Sequence, residues 1–274
     1  MAECNHDCSH CSQNCSERTA IEKFVPCEGT EIKHIIGVVS GKGGVGKSFV
    51  TSLLAAELNR QGYSVGILDA DITGPSIPKS FNIHESAYGD KEGKIIPAVT
   101  RTGIRIISSN LLLEHEDDPL IWRGSLINSL LSSFFKDVRW EKLDYLLIDM
   151  PPGTGDLTLT CFQQVPLDGI MMVTSPQDLV NMVVSKCVNM ARTMNIRIFG
   201  LVENMSYLVC PHCGDRINLY GESKVDETAA KFNLPVLAKL PIIAGTSNCI
   251  DDGKAEFIQI PEIQGAVAEL LKLW

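Results

Sequence analysis

The chain of 274 residues lacks the features that place a protein in a membrane or on nucleic acid. No apolar run approaches the ~18 residues of a transmembrane helix, and the N-terminus has no apolar segment of the signal-peptide kind. Its 24 lysines and arginines are outnumbered by 33 aspartates and glutamates, and the net charge is −9 with no basic cluster. We therefore expect a cytoplasmic protein that binds neither nucleic acid nor a membrane.

Disulfide bonds are also not expected, although the chain contains ten cysteines. Thiols stay reduced in the cytoplasm, so cysteines there are metal ligands or free thiols more often than disulfides.

Internal repeats and low-complexity segments are missing too. The length then suits one α/β domain with a substantial core and a short tail.

Short apolar runs rich in β-branched residues alternate with helical periodicity from Glu31 onward. Strands are predicted near 34–40, 63–69, 104–108, 143–149, 168–174, 198–203 and 236–240. Helices are predicted near 47–61, 122–136, 154–164, 177–194, 223–233 and 261–273. This alternation indicates an α/β fold with a doubly wound, mostly parallel sheet and helices on both faces. Ligands of such sheets bind at the carboxyl ends of the strands.

The run from Gly41 to Ser48 contains the G-x-x-x-x-G-K-[ST] pattern of a phosphate-binding P-loop. Its glycines let backbone N–H groups turn inward, and the helix that follows adds the positive end of its dipole. We expect Lys47 to contact the β- and γ-phosphates and Ser48 to ligate Mg²⁺. The predicted nucleotide-binding residues of this loop are Gly41, Lys42, Gly43, Gly44, Val45, Gly46, Lys47 and Ser48.

Lys42 is one lysine more than the pattern requires. A lysine on the outer rim cannot easily fold back onto phosphates that its own loop holds. Its two possible environments are solvent and the nucleotide of a second subunit, where it would place positive charge on the transferred phosphoryl group.

Three aspartates stand at the ends of predicted strands. Asp69 and Asp71 follow one strand and project the same way in an extended segment. Asp149 ends the apolar run from Leu143 to Ile148, as a Walker B aspartate does. We expect Asp69 and Asp149 to hold Mg²⁺, partly through water, and Asp71 to orient the attacking water, although a pair of aspartates alone is more typical of a turn.

Two prolines and two glycines shape the segment 150–155, which we call the switch loop, directly after Asp149. A loop of this kind could sense the γ-phosphate and move on hydrolysis. Asn204 stands at the end of a later strand. Its amide could bind the edge of a base, but an asparagine in that place is usually a turn residue.

Two groups of cysteines have the spacing of metal ligands. Cys210 and Cys213 form a C-x-x-C pair, which supplies half of a tetrahedral site and needs a second subunit to complete it. The residue types alone favour zinc there. Four further thiols crowd into twelve residues without apolar support, which indicates metal ligands or a redox-sensitive tail. These are Cys4, Cys8, Cys11 and Cys15. Cys27, His6 and His10 are further possible ligands, so the residues that bind the metal are left open.

The double-lysine loop, the run Asp-Met-Pro-Pro-Gly-Thr-Gly-Asp at 149–156 and the C-P-H-C pair together resemble a known family. The chain from Ile32 to its C-terminus is similar to the Mrp/ApbC and Nbp-type iron-sulfur cluster carriers, which belong to the MinD/ParA-like deviant Walker A ATPases. The resemblance implies a homodimer that uses ATP and Mg²⁺, carries a [4Fe-4S] cluster and passes it to apo iron-sulfur proteins.

The resemblance also implies roles for single residues. Lys42, Lys47 and Asp71 would be catalytic, with Lys42 reaching the nucleotide of the second subunit. Asn204 would bind adenine. Cys210 and Cys213 would meet their symmetry mates around a bridging cluster. We accordingly divide the chain into a cysteine-rich metal-binding tail, 1–31, and a P-loop ATPase domain, 32–274, whose C-x-x-C loop is 210–213.

The cysteine spacing of the tail and the identity of the metal leave a second interpretation of the function open. Nbp-type proteins carry an N-terminal motif of four cysteines, but with a wider spacing than this chain has. A regulatory ATPase of the MinD/ParA kind, with structural zinc at its cysteines, is the second interpretation. Its membrane-binding form would need a basic C-terminal helix, whereas the stretch 261–274 offers two glutamates and one lysine. We expect this helix to pack on its own domain.

The rim position of Lys42 leads to a testable prediction. Lys42→Ala should leave ATP binding largely intact and depress ATP hydrolysis, because the charge is needed by the transferred phosphoryl group rather than by the bound nucleotide. Binding of labelled ATP and release of phosphate measure the two effects. A Lys42→Ala protein that hydrolyses ATP at the wild-type rate would contradict the role in a second subunit.

Overall fold

The computed structural model describes residues 22–72, 74–84, 87–112 and 124–274, without the side chains of 124–128 and 178–182. The strands in these ranges are β1 (Glu31–Ser40), β2 (Val65–Asp69), β3 (Tyr88–Gly89), β4 (Ile95–Ile96), β5 (Ala98–Val99), β6 (Arg105–Ser108), β7 (Lys142–Asp149), β8 (Gly169–Thr174), β9 (Ile198–Val209), β10 (Arg216–Ile217) and β11 (Val236–Ile242). The α-helices are α1 (Lys47–Arg60), α2 (Ile77–Ser80), α3 (Gly124–Lys136), α4 (Asp156–Gln164), α5 (Asp178–Thr193), α6 (Val225–Phe232), α7 (Thr246–Asp251) and α8 (Pro261–Leu271).

Nine of these strands form one sheet in the order β10-β9-β8-β1-β7-β2-β6-β5, and β11 also pairs with β9. Seven of them, β1, β2, β6, β7, β8, β9 and β11, run parallel. The short strands β5 and β10 are antiparallel to their neighbours β6 and β9. The predicted fold class, a mostly parallel α/β sheet, is confirmed.

Helices cover both faces of the sheet, because alternate residues of its central strands point to opposite sides. In β7, Leu146 and Ile148 join a core with α3, α4, α5 and α6, whereas Leu147 joins a second core with α1, α2 and α8. All three side chains are fully buried. The sheet is therefore doubly wound, as the alternation of strands and helices predicts.

The carboxyl ends of the central strands meet at one edge of the sheet. Asp69 at the end of β2 is in register with Asp149 at the end of β7 on one side and with Ser108 at the end of β6 on the other. The P-loop leaves β1 at the same edge, beyond Ser40. The parallel register thus brings together groups that lie far apart in sequence, the separation of Ser40 and Asp149 being 109 positions.

Three features of the fold differ from the expectations drawn from the sequence. β9 continues to Val209, well beyond the predicted end near 203. Residues 81–101, where no strand was predicted, contain the hairpin of β3 and β4 as well as β5, which pairs with the main sheet. A short helix, α7, was not predicted, because its six residues are too few to show a helical period.

Residues 22–30, the described end of the predicted tail, lie against the domain. Phe24 is buried and its ring stacks on Phe135 of α3 at 5.6 Å between centroids. The Cys27 N–H donates to the Phe135 carbonyl at 2.9 Å. These contacts attach the chain to α3 before it enters β1.

The C-terminal helix packs on its own domain, as predicted. Ile263, Val267 and Leu270 of α8 are buried in the core that α8 shares with α1. Trp274 stacks on His34 of β1 with 3.9 Å between ring centroids. Among the described helices, none has the length and apolar character needed to cross a membrane.

Candidate functional site

The P-loop wraps the amino terminus of α1. Gly44 and Gly46 have φ angles of 81° and 80°, values that side chains with a Cβ rarely adopt. Gly46 also needs the space, because a Cβ there would lie 2.1 Å from the Asn204 amide nitrogen. A cavity of about 290 Å³ opens at this loop, and its lining includes Gly43, Lys47, Ser48, Asp71 and Pro152.

The Asp149 carboxylate is the centre of the hydrogen bonds beneath this cavity. Its Oδ2 accepts from Ser48 Oγ at 2.6 Å and lies 2.7 Å from the Lys47 ammonium. Its Oδ1 accepts from Thr51 Oγ1 at 2.8 Å. Asp149 and Thr51 are fully buried and Lys47 is 5% exposed, so water does not screen these contacts.

Asp69 lies beside Asp149 in the register of β2 and β7 and is fully buried. Its carboxylate accepts hydrogen bonds from the backbone N–H groups of Asp71 and Ile77, at 3.2 and 3.3 Å, and from the Ser108 hydroxyl at 3.3 Å. Burial, and then the negative charge of Asp149, raise the pKa of Asp69 to about 8. Two neighbouring buried carboxyl groups form a favourable binding site for a cation.

The donor set fits Mg²⁺. Ser48, Asp69 and Asp149 offer a hydroxyl and two carboxylates, the hard oxygen ligands that Mg²⁺ prefers. The Lys47 ammonium lies 2.7 Å from Asp149 and 3.6 Å from Asp71. The structure therefore brings Lys47, Asp71 and the three predicted metal ligands to one place.

The switch loop packs directly on the P-loop strand. The Gly153 N–H donates to the Ser40 carbonyl at 2.8 Å, and the Met150 N–H donates to the Val38 carbonyl at 3.0 Å. Thr158 of α4 donates its hydroxyl to the Gly153 carbonyl at 3.2 Å. A displacement of this loop would therefore be transmitted to α4.

Lys42 leaves the rim of the loop on the side of α5. Its ammonium donates to the Gln177 side-chain carbonyl at 2.6 Å, at the residue that precedes α5. Lys42 is half-buried. Sequence reasoning missed Gln177, because 135 positions separate the two residues and no motif connects them.

A second cavity of about 380 Å³ adjoins the P-loop and is mainly apolar. Asn204 lies on one wall, 3% exposed, and donates its side-chain amide to the Val45 carbonyl at 3.0 Å. The helix α7 also lines this cavity, through Thr246, Ile250 and Asp251. An apolar cavity with a few polar groups beside a phosphate loop suits a nucleoside. Of the residues that line this cavity, Gly46 and Asn204 were predicted from the sequence and those of α7 were not.

The C-x-x-C pair occupies the turn between β9 and β10. The Cys210 N–H donates to the Asp215 carbonyl at 2.8 Å, and the Gly214 N–H donates back to Cys210 at 2.9 Å. Hydrogen bonds from the backbone N–H groups of Cys213 and His212 lower the pKa of Cys210. Cys213 is exposed, and its thiol donates to the Asp215 carboxylate at 3.3 Å. Asp215 was not among the predicted residues.

The remaining described cysteines differ in accessibility. Cys161 and Cys187 are fully buried, and burial raises the pKa of each to about 12, so they behave as apolar residues. Cys249 is half-buried. Cys27 is 6% exposed and bonds the Glu28 carbonyl. The tail cysteines Cys4, Cys8, Cys11 and Cys15 lie outside the described residues.

No group of three or more histidine, cysteine, aspartate or glutamate side chains in the described ranges is arranged to hold a metal ion. Cys210 and Cys213 accordingly remain a pair within one chain. Thr51 was also missed by sequence reasoning. Its signal would have been a hydroxyl one helical turn beyond Ser48, on the helix that follows the P-loop.

Comparison with known proteins assigns the domain. Residues 31–272 match the model of the family described as NUBPL iron-transfer P-loop NTPases, within the ParA group. An iron-sulfur cluster carrier protein of Clostridium perfringens is 46% identical over 256 residues, covering 91% of this chain and 90% of the relative. One from Methanocaldococcus jannaschii is 40% identical over 260 residues, with coverage of 92% and 90%.

Solved structures are also similar to this chain. A nucleotide-binding protein of Archaeoglobus fulgidus, determined in complex with ADP, is 40% identical and superimposes with a TM-score of 0.76. The superposition covers 85% of this chain and 91% of that one. The cell division ATPase MinD of Pyrococcus furiosus, at 20% identity, superimposes with a TM-score of 0.63 over 88% of this chain and all of its own, which shows a shared fold.

The buried Asp69 carboxyl leads to a prediction about pH. Its pKa is raised to about 8 in the folded protein, whereas in the unfolded chain it ionises near 4. The folded state therefore holds a proton that the unfolded state has released, and the free energy of unfolding should fall as the pH rises from about 4 to 8. Asp69→Asn should flatten this slope. Urea unfolding of the nucleotide-free protein between pH 5 and 9 measures it.

Asp144→Asn is the matched control. Asp144 is a carboxyl of opposite behaviour, because the hydrogen bond from Lys33 lowers its pKa. Its contribution to stability is lost only in acid, so this variant should keep the wild-type slope above pH 5. Equal slopes in the wild type and in Asp69→Asn would show that Asp69 is ionised throughout.

Proposed function

The chain belongs to the NUBPL-type family of iron-sulfur cluster carrier P-loop NTPases, and from this premise we propose that it is an ATP-dependent homodimeric carrier of a [4Fe-4S] cluster. In this proposal the cluster is cargo, held between two subunits and passed to apo iron-sulfur proteins. The observation that carries the proposal is the position of both candidate sites on β9, with Asn204 within the strand and Cys210 directly after it.

The nucleotide half rests on the groups around Asp149. Lys47 would leave Asp149 for the β- and γ-phosphates, and Ser48 and Asp149 with Asp69 would hold Mg²⁺, which neutralises the phosphates when bound. Asp71, 3.6 Å from Lys47, would orient the attacking water. Asn204 and α7 would enclose the adenosine, as the apolar cavity between them allows. ATP would thus be hydrolysed at the carboxyl edge of the sheet.

Lys42 would complete this site in a second subunit. In one chain its ammonium donates to the Gln177 side-chain carbonyl. Exchange of Gln177 for a phosphate of the partner subunit replaces a neutral acceptor by a charged one, which is the stronger hydrogen bond. Dimer formation and ATP binding would then favour each other.

The metal half rests on Cys210 and Cys213. The lowered pKa of Cys210 and the exposure of Cys213 suit thiolates that can take up and release a cluster. A [4Fe-4S] cluster needs four thiolates, and each chain offers two at this place. We infer that the pairs of two subunits hold one cluster between them, and that the tail cysteines Cys4, Cys8, Cys11 and Cys15 hold a second.

β9 provides a physical connection between the two halves. Six positions separate Asn204 from Cys210, a distance of about 20 Å along a strand. The strand is irregular between them, since Met205 has a φ of 57° and the pairing with β11 shifts its register next to it. A change at the nucleotide cavity would therefore move the base of the cysteine turn, and hydrolysis would switch the dimer between holding and releasing the cluster.

The decisive experiment is anaerobic reconstitution of the full chain with iron and sulfide. We expect a dimer with the absorbance of a [4Fe-4S] cluster, and Cys210→Ala with Cys213→Ala should remove the bridging cluster and the dimer it stabilises. Iron content, the electronic spectrum and sedimentation measure the outcome. Transfer of the cluster to an apo iron-sulfur protein, with and without ATP, then tests its use.

Cys249→Ala is the matched control, since it removes one half-buried thiol that is not part of the C-x-x-C pair. It should change neither the iron content nor the oligomeric state. Unchanged iron and an unchanged dimer in the double variant would overturn the proposal. Stoichiometric zinc in protein isolated without oxygen, with no iron bound after reconstitution, would favour the regulatory ATPase with structural zinc instead.

A further inference from the structure

Thr51 is a buried hydroxyl that none of the predicted roles uses. It lies in α1, one turn beyond Ser48, and is fully buried. Its Oγ1 is 2.8 Å from Asp149 Oδ1 and 3.0 Å from the Lys47 carbonyl. A threonine has one hydroxyl hydrogen, and the nearer, charged carboxylate is the stronger acceptor.

The two oxygens of Asp149 have different partners. Oδ2 is contacted by Lys47 and Ser48, both of which the proposed function assigns to the phosphates and Mg²⁺. Oδ1 is contacted by Thr51. When nucleotide draws the first two groups away, Thr51 is the partner that stays with Asp149.

We propose that Thr51 is the positioning residue that keeps the Asp149 carboxylate aimed at the metal site when nucleotide is bound. The inference rests on the proposed function, because it assumes that Asp149 serves Mg²⁺. A β-branched side chain in a helix has few χ1 rotamers, so the direction of the Thr51 hydroxyl is set by α1. Burial leaves no water to replace it, and rotation of the carboxylate would cost this hydrogen bond.

Ser52 shows that the contact is a property of the position and not of any hydroxyl on this helix. Ser52 is also fully buried and donates to a carbonyl four residues back, that of Ser48, at 2.8 Å. Thr51 Oγ1 likewise lies 3.0 Å from the Lys47 carbonyl, but it also lies 2.8 Å from Asp149, to which it donates its hydrogen. The two neighbours therefore differ in the carboxylate contact, which makes Ser52 the matched control.

The test compares binding of ADP to the full chain in EDTA and in excess Mg²⁺, by calorimetry, for the wild type, Thr51→Val, Thr51→Ser and Ser52→Ala. Thr51→Val keeps the shape and removes the donor. We expect it to reduce the Mg²⁺-dependent gain in ADP affinity about tenfold, the lower end of the effect typical for partners of metal ligands, and to leave the affinity in EDTA unchanged. Thr51→Ser and Ser52→Ala should keep the wild-type gain.

A second measurement separates positioning from mere packing. In ATP hydrolysis, Thr51→Val should raise the Mg²⁺ concentration needed for half-maximal rate by a similar factor, whereas a packing defect would lower the affinity in EDTA too. If Thr51→Val does not fold, Thr51→Cys, which has only a weak S–H donor, takes its place. A wild-type Mg²⁺-dependent gain in a folded variant, or an equal loss with and without Mg²⁺, would overturn the inference.

Failure of the proposed function gives a different result. If the wild type binds ADP with a Mg²⁺-dependent gain but hydrolyses no ATP, the carrier ATPase is contradicted. The comparison of Thr51 with Ser52 is still decided by the ADP affinities in that case.

Discussion

The buried contact between Lys47 and Asp149 is the interaction on which the rest of the site depends. A lysine that is 5% exposed and a fully buried aspartate lie 2.7 Å apart. Removing both charges from water is expensive, and their attraction offsets that cost only with good geometry and further hydrogen bonds. Ser48 and Thr51 supply those bonds to the two oxygens of Asp149. The fold thus keeps a cation and an anion in a place where phosphate and Mg²⁺ would each find an opposite charge.

The need to hold Asp149 beside Lys47 explains the arrangement of side chains at the carboxyl edge of the sheet. Asp149 has to end a strand that is next to the P-loop strand, and β7 pairs in parallel with β1. Asp69 comes beside it because β2 is the next strand, and two adjacent buried carboxylates raise the pKa of Asp69. The switch loop begins at the residue after Asp149 and bonds the P-loop strand through Gly153. Asp69 and Asp149 are placed by sheet register, so neither can move without its strand.

Much of the fold and of the nucleotide site could be predicted from the sequence, because both have local signals. The alternation of apolar strands and helical periods predicted the seven parallel strands, and the P-loop, Asp149 and the C-x-x-C pair were each found as short motifs. Thr51 and Gln177 were missed, since their partners Asp149 and Lys42 lie 98 and 135 positions away in sequence. The helix α7 was missed because it is too short to show a helical period. The length of β9 was underestimated because the polar residues after 203 hide a strand that pairs with β11.

The sequence by itself determined the class of fold and predicted a phosphate-binding loop and a half-site of two cysteines, because each depends on residues a few positions apart. Only the tertiary structure decided which groups share a site. Burial of Asp69 beside Asp149, the contact of Gln177 with Lys42, and the cavity that Asn204 shares with α7 all follow from strand order and helix packing. Those are long-range properties, in which distant segments meet because their apolar faces are buried together.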